Sequence, residues 1–423
     1  MIQVKIVHHH LKTGGVTKVI QSQLKSFIGH PIEVSLVVGD ENSINAPHKE
    51  QIVIPELNYL EKNLSKEQLH EEYTKLLNAL RKVINKDDII HIHNLNLGKN
   101  PLLNLAMLEL HSEGYRIINH CHDFAEDNRP ANMQHLEKVV EGCFKQKLKE
   151  VMYPKSHKIK YAIINTRDRQ HLEAQGVSPE CIFDFANPIE IPKLIDSNQA
   201  LTKVKSDMGL DQNDKRPLYL YPVRVIRRKN IGEFILLTAL FPKKAHWCVT
   251  LPPQNPVEKE SYDEWKRFCL EQKIETQFDV GTRCDFVELM NAAERIVTTS
   301  IREGFGMVFL ESWLYNKGVM GRDIPDITVD FKDKGIQFNH LYNELIIRGK
   351  DFAAYSQQEQ MTLISEIIVD PTLQGDVIKT NQLDHLFAEV KPESIKHNHD
   401  NIVNHYSLSS YGQNCKTLYE KPF

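Results

Sequence analysis

Short apolar runs alternate with amphipathic stretches along the first part of the chain. Residues 4–8, 33–38, 89–93 and 116–119 read as strands, and 16–28, 66–84 and 101–113 carry apolar positions at helical spacing. Strand and helix in alternation predict a parallel, doubly wound sheet. Two further short strands are expected at 161–165 and 181–185, ahead of Asn187-Pro188-Ile189-Glu190-Ile191-Pro192, a proline-bounded stretch that reads as a hinge. Composition then turns polar over 196–216, and a second strand series follows at 218–223, 246–251, 275–279 and 295–298, which predicts a second Rossmann-like lobe. Residues 394–423, with Ile402, Val403, Tyr411 and Leu418, read as terminal helices. No short fixed repeat and no low-complexity segment is present, which removes solenoid and disordered classes.

At 423 residues the chain exceeds what one hydrophobic core usually supports, in keeping with two lobes. A formal net charge of -4 argues against a dedicated nucleic-acid binder, which would carry a strongly basic domain. The 7 cysteines are scattered without zinc-type spacing, and no apolar run approaches the ~20 residues of a membrane span. A cytoplasmic protein is expected. His8, His9 and His10 close a strand and lead into a glycine turn, so they read as native sequence rather than a tag.

Four segments carry candidate chemistry. In Arg302-Glu303-Gly304-Phe305-Gly306-Met307-Val308-Phe309-Leu310-Glu311-Ser312, two glycines allow a tight turn and close ligand approach, and a helix is expected from Met307. Its first amides would meet an anion such as a diphosphate, while Glu303 and Glu311 offer acceptors to paired hydroxyls. The bland alternative is a solvated helix face. Arg224 ends a strand and is followed by Arg227-Arg228-Lys229-Asn230, a cation cluster suited to phosphate or, equally, an ordinary basic turn. Thr13-Gly14-Gly15-Val16 opens a helix after the first strand, with Lys12 and Lys18 nearby; it reads as a phosphate or substrate loop or simply as a turn. His120-Cys121-His122-Asp123 closes another strand, and the polar loop 123–132 with Arg129 follows as a candidate acceptor clamp or an acidic surface loop.

The first of these segments, preceded by Leu289-Met290-Asn291-Ala292-Ala293-Glu294 and Val297-Thr298-Thr299-Ser300, resembles the signature of retaining GT-B glycosyltransferases of the family 4 type. The resemblance implies an α/β GT-B fold of two Rossmann-like lobes facing a cleft: 1–190 for the acceptor, 191–393 for the donor, and 394–423 as helices crossing back to the first lobe. It implies a donor site of Gly14, Gly15, Arg224, Lys229, Ser300, Glu303, Phe305, Gly306, Met307 and Glu311. Glu303 would hold the sugar and Glu311 the ribose. His122, Asp123 and Arg129 would meet the acceptor, with His122, Arg224, Lys229 and Glu303 as the catalytic set. The implied reaction moves a hexose from a nucleoside-diphosphate sugar, as co-substrate, to a small sugar-like or lipid-linked acceptor, without a metal or other cofactor. Val223 stands where the family has glycine. Arg322 and Asp323 stand where it has a small apolar loop, which suggests a distinct nucleotide or acceptor.

Other readings stay open at this point. Within the fold they are a phosphorylase or a sugar-nucleotide epimerase. From other classes they are a non-catalytic nucleotide-sugar binding module, or a metal-dependent hydrolase built on His91-Ile92-His93 with His120 and His122. Residues 136–161 combine Leu136, Val139, Val140, Phe144, Leu148 and Val151 with seven lysines. They read as one basic amphipathic helix, either packed on the core or in weak contact with an anionic membrane surface.

Overall fold

A computed structural model describes residues 1–127 and 129–423. Asn128, in the loop expected to clamp an acceptor, lies outside the described residues. The chain divides into two compact units, Met1–Glu190 with His405–Phe423, and Ile191–Asn404.

The first unit is a seven-stranded sheet in the order β3-β2-β1-β4-β5-β6-β7, every pair parallel. The strands are β1 (Ile2–His8), β2 (Ile32–Val38), β3 (Glu50–Val53), β4 (Ile89–His93), β5 (Arg116–Cys121), β6 (Ile159–Ile163) and β7 (Ile182–Asp184). One face of the sheet packs Ile90, Ile92 and Ile117 against the helices Lys66–Val83 and Pro101–Ser112. The other packs Val4, Ile6 and Ile118 against Ile20 and Leu24 of the helix Gly15–Ser26 and against Tyr411, Cys415, Leu418 and Tyr419 of the helix Leu408–Glu420. That last helix is fixed by polar bonds too: Lys160 Nζ donates to the carbonyls of Leu418 (3.1 Å) and Lys421 (2.8 Å).

The stretch 136–161 corrects the single-helix expectation. The helix Pro130–Leu136 runs into a π-helical segment Glu137–Cys143, a separate short helix spans Leu148–Met152, and β6 begins at Ile159. The break falls at Lys145, whose φ of 58° lies in the left-handed region that ends helices. Leu136, Val139, Val140 and Val151 are buried in the unit's own core, and Phe144 and Leu148 pack partly buried against it. Among the described residues no helix is long and apolar enough to cross a membrane.

The second unit is a six-stranded parallel sheet in the order β10-β9-β8-β11-β12-β13. Its strands are β8 (Leu218–Arg224), β9 (His246–Leu251), β10 (Thr276–Gln277), β11 (Ala293–Thr298), β12 (Gly318–Arg322) and β13 (Leu341–Tyr342). Because β8 and β11 are parallel neighbours, the segments that follow both of them emerge at the same edge of the sheet.

Candidate functional site

β8 ends at Arg224, and one turn of 3-10 helix, Arg227–Lys229, leads through Asn230 into the helix Ile231–Leu240. Asn230 adopts φ 49°, a left-handed conformation that asparagine tolerates because its short side chain bonds locally. Here its Nδ2 donates to Glu233 Oε2 at 2.9 Å. Tyr221 of β8 and residues just beyond β11 hold this loop. Tyr221 Oη donates to the Lys229 carbonyl (2.7 Å) and pairs with Ser300 Oγ (2.9 Å), while Thr299 Oγ1 lies 3.2 and 3.1 Å from the carbonyls of Lys229 and Asn230. The fully buried Ser300 side chain therefore supports the Lys229 loop.

Glu303 sits above this platform. Arg228 Nη1 donates to Glu303 Oε2 at 2.6 Å and to the Arg302 carbonyl at 2.8 Å, and Lys229 Nζ pairs with Glu303 Oε1. The Glu303 side chain is 8 % exposed. Burial raises its carboxyl, but Lys229 and Arg228 outweigh that and hold it below the ordinary range. Burial also draws the Lys229 ammonium down, with Glu303 opposing. Two cations share one anion, which keeps the carboxylate charged. Arg228 is a site residue that sequence reasoning passed over; its signal, one cation in a run of three, did not say which one turns inward.

The two glycines of the turn differ. Gly306 has φ 83°, and a Cβ there would lie 2.9 Å from Ile327 Cγ2 and 3.0 Å from Phe309 Cδ2. A Cβ on Gly304 would meet no atom within 4 Å. Phe305 is buried edge-on against Phe331. Met307 caps the helix Val308–Leu314 without a side-chain hydrogen bond, and Glu311 lies half-buried in its first turn. Arg224 Nη1 donates to the Pro252 carbonyl at 2.9 Å, which directs it along β9 rather than onto Glu303.

Arg322 and Asp323 are structural. The buried Arg322 guanidinium forks onto Glu233 (2.9 and 2.6 Å) and Asp351 (3.0 and 2.7 Å), and Tyr342 Oη donates to Glu233 at 2.7 Å. Asp323 accepts from Thr328 Oγ1 (2.6 Å) and Lys332 Nζ (2.7 Å). These charges are consumed inside the unit. Through Glu233 and Asn230, Arg322 braces the loop that carries Lys229, while Asp323 holds the helix Pro325–Asp333.

In the first unit, Gly14 and Gly15 follow β1 and open the helix Gly15–Ser26 without a side-chain cap. Gly14 is extended (φ -178°), and Cβ atoms at the two positions would meet only Lys12 O at 3.8 Å, so the space over the loop is open. Asp123 and Arg129 close on each other: Arg129 Nη2 to Asp123 Oδ1 is 2.7 Å, and Arg129 Nη1 donates to the Phe124 carbonyl at 3.0 Å.

His122 belongs to a buried stack of imidazoles. Its Nε2 is 2.9 Å from His93 Nδ1, with the rings parallel within 6°. His91 Nε2 is 3.1 Å from His120 Nδ1, and His91 Nδ1 is 2.8 Å from Tyr419 Oη. Burial pulls His122 down to about 4 and His91 to about 3, so the rings are neutral near pH 7. His91, His93 and His120 bring nitrogens within 4.8 Å of one another, close enough to share an ion. Yet most of these nitrogens already bond to one another and to Gln23 and Tyr419. The donor set suits a hydrogen-bonded cluster better than a hydrolytic metal centre, which needs an open coordination position.

No family model matches the chain. It is 28% identical over 345 residues to the mannosylglucosyl-3-phosphoglycerate synthase of Petrotoga mobilis, an alignment covering 78% of this chain and 66% of that protein. The chain thus spans just under two thirds of its relative's length. Among solved structures it is similar to the sucrose-phosphate synthase of Thermosynechococcus elongatus, with TM-score 0.60, 13% identity and 99% and 98% of the two chains covered. It is also similar to HepE of Anabaena in complex with UDP-glucose, with TM-score 0.62, 12% identity and 100% of each chain covered. Two parallel α/β sheets and likeness over essentially the full length to these structures establish that the chain has the glycosyltransferase GT-B fold.

Proposed function

We propose that the protein is a retaining glycosyltransferase that moves a hexose from a nucleoside-diphosphate sugar to an acceptor hydroxyl. The observation that carries this reading is the Arg228–Lys229–Glu303 cluster beside the open turn at Gly304. Cations at the carboxyl edge of a parallel sheet suit a diphosphate, and a carboxylate held charged among them suits sugar hydroxyls. The lysine ammonium has three donors, so phosphate oxygens can be met while Glu303 keeps one. In this scheme the acceptor hydroxyl attacks the face from which the diphosphate departs, and the leaving oxygen takes the proton. Arg224 and Lys229 stabilise the charge that grows there. Glu311 bonds the ribose.

We assign the acceptor to the anionic sugars, which the name of the Petrotoga relative, a mannosylglucosyl-3-phosphoglycerate synthase, supports. A second support is Lys99, which lies over the Tyr59 ring at 5.3 Å with Lys62 and the Asp123-paired Arg129 acting on it, cations that a phosphate or carboxylate would meet.

The test is a matrix of UDP-, GDP- and ADP-sugars against phosphorylated and neutral sugar acceptors. Released nucleoside diphosphate and product mass are followed, and the anomeric configuration is read by NMR. Transfer to a phosphorylated acceptor with retained configuration is the expected result. Phosphorolysis or epimerisation of the donor without transfer would replace this reading with one of the other GT-B chemistries.

A further inference from the structure

His122 directly follows β5, and its ring lies at one end of a chain of hydrogen bonds that the reaction scheme does not use. From Nε2 of His122 the chain runs to His93 Nδ1 (2.9 Å), and from His93 Nε2 to Gln23 Oε1 (2.8 Å). The amide nitrogen of Gln23 lies 3.3 Å from both His91 Nδ1 and Tyr419 Oη. Tyr419 Oη lies 2.8 Å from His91 Nδ1, and His91 Nε2 reaches His120 Nδ1 at 3.1 Å. Gln23, His91, His93 and His120 are 0–1 % exposed, so no water competes for these bonds.

A neutral imidazole carries one N–H and one bare nitrogen, which makes a row of such rings directional. Gln23 Oε1 can only accept, so His93 carries its hydrogen on Nε2 and leaves Nδ1 bare. His122 must then donate from Nε2, and its own Nδ1 is bare. On the other branch the Gln23 amide and the Tyr419 hydroxyl both face His91 Nδ1, which is therefore bare, and His91 donates from Nε2 to His120. His120 then carries its hydrogen on Nε2, a buried N–H turned toward the Phe185 backbone but outside close hydrogen-bond geometry. One amide thus sets the direction of both branches.

We propose that Gln23 is a positioning residue that fixes the tautomer of His122, holding Nδ1 bare so that it accepts a hydrogen bond from a sugar hydroxyl. Its catalytic consequence rests on the reading above, in which His122 meets the transferred sugar; its structural content does not. Gln23 stands one turn beyond Ile20 on the buried face of the helix Gly15–Ser26, where an apolar residue would pack as well and could not select a tautomer. Reversing the amide would place N–H on His93 Nε2, move the hydrogen of His93 to Nδ1, and give His122 an Nδ1–H that donates instead of accepting.

The experiment is long-range proton–nitrogen NMR of the imidazoles in the full chain, with the His122 signal assigned by its loss in His122→Asn. Wild type is expected to show His122 protonated on Nε2. Gln23→Met is expected to mix or invert that tautomer and to slow turnover roughly tenfold, about the worth of one hydrogen bond. Gln23→Glu, as a neutral acid, keeps an acceptor toward His93 and a donor toward His91, and is expected to restore both. Tyr419→Phe loosens the same core without touching the His93 side, and the His122 tautomer is expected to stay. An Nδ1–H signal for His122 in wild type, or an unchanged His122 tautomer in folded Gln23→Met, would overturn the proposal. A tautomer shift with unchanged turnover upholds the hold of Gln23 on the ring and overturns instead the reading that His122 meets the sugar.

Discussion

Alanine at the two glycines of the 302–312 segment separates folding from function. At Gly306 the backbone is left-handed (φ 83°), which costs an L side chain about 1–2 kcal/mol, and the new Cβ would press on Ile327 and Phe309 at 2.9 and 3.0 Å. Both neighbours are buried, so relief requires core movement costing about 1–3 kcal/mol. Gly306→Ala should therefore lose roughly 2–5 kcal/mol, a drop of roughly 5–15 °C in melting temperature for a unit of this size. Gly304→Ala meets no atom within 4 Å and has no positive φ to oppose it, so its melting temperature should match wild type. If that space is where the donor lies, however, the methyl group should weaken nucleotide-sugar binding at least tenfold. Scanning calorimetry on both variants, with donor titration on Gly304→Ala, reads the two effects separately. A wild-type melting temperature for Gly306→Ala would refute the steric argument. Unchanged donor affinity in Gly304→Ala would refute the assignment of the open space to the ligand.

Lys229→Ala should slow turnover by roughly 100-fold while Glu303 keeps Arg228 as a partner and the fold survives; normal turnover in this variant would remove Lys229 from the diphosphate site. Arg322→Met leaves Glu233 and Asp351 without their shared cation and should destabilise the second unit by about 3–5 kcal/mol, read by denaturant unfolding. Glu311→Ala, losing two ribose hydrogen bonds, should weaken donor binding by about 1–3 kcal/mol in calorimetry with no change in melting. Acid should loosen the first unit. Burial lowers His9 and His122 to about 4 and His91 to about 3, so below pH ~6.5 the unfolded chain takes up protons that the folded rings refuse. Stability should be full above that pH and fall toward pH 4, by up to about 1.4 kcal/mol per pH unit for each ring, and a flat melting temperature between pH 7 and 5 would contradict it.

Much of the architecture is legible in the apolar runs, because strands buried on both faces leave long hydrophobic stretches. The strands Ile89–His93 and His246–Leu251 coincide with their expected bounds. Edge strands escape: Glu50–Val53 is half exposed, and Leu341–Tyr342 is too short to carry a pattern. Gly318–Arg322 hides behind two glycines and an arginine whose charge is neutralised within the unit by Glu233 and Asp351. The error at 136–161 has another origin: the periodicity is real but spans a π-helical segment and a left-handed Lys145, and periodicity does not report phase slips. Within the candidate site, Lys229 and Glu303 are readable because each follows a strand, but Arg228 is not separable from its neighbours by sequence. The histidines show the limit most clearly. His91 and His93 are two apart and must share a sheet face, as must His120 and His122, and β4 pairs with β5. What completes the group is Tyr419, 328 positions from His91, together with Gln23, one of several buried polar residues on its helix.

The first unit is assembled from Met1–Glu190 and His405–Phe423, with all of Ile191–Asn404 lying between. A ribosome delivers these pieces in order. When residue 190 has emerged, the sheet face that carries Val4, Ile6 and Ile118 still lacks Tyr411, Cys415 and Leu418, His91 lacks the Tyr419 hydroxyl, and the Lys160 ammonium lacks its two carbonyls. At ~5–20 residues per second the missing helix arrives roughly 10–50 s later. The second unit, contiguous in sequence, is complete before then. The order of folding during synthesis is therefore the reverse of the order of coding: the unit begun first finishes last, with an apolar strip uncovered in the interval. A truncation that removes the helix Leu408–Glu420 would be felt by the sheet that starts at Ile2.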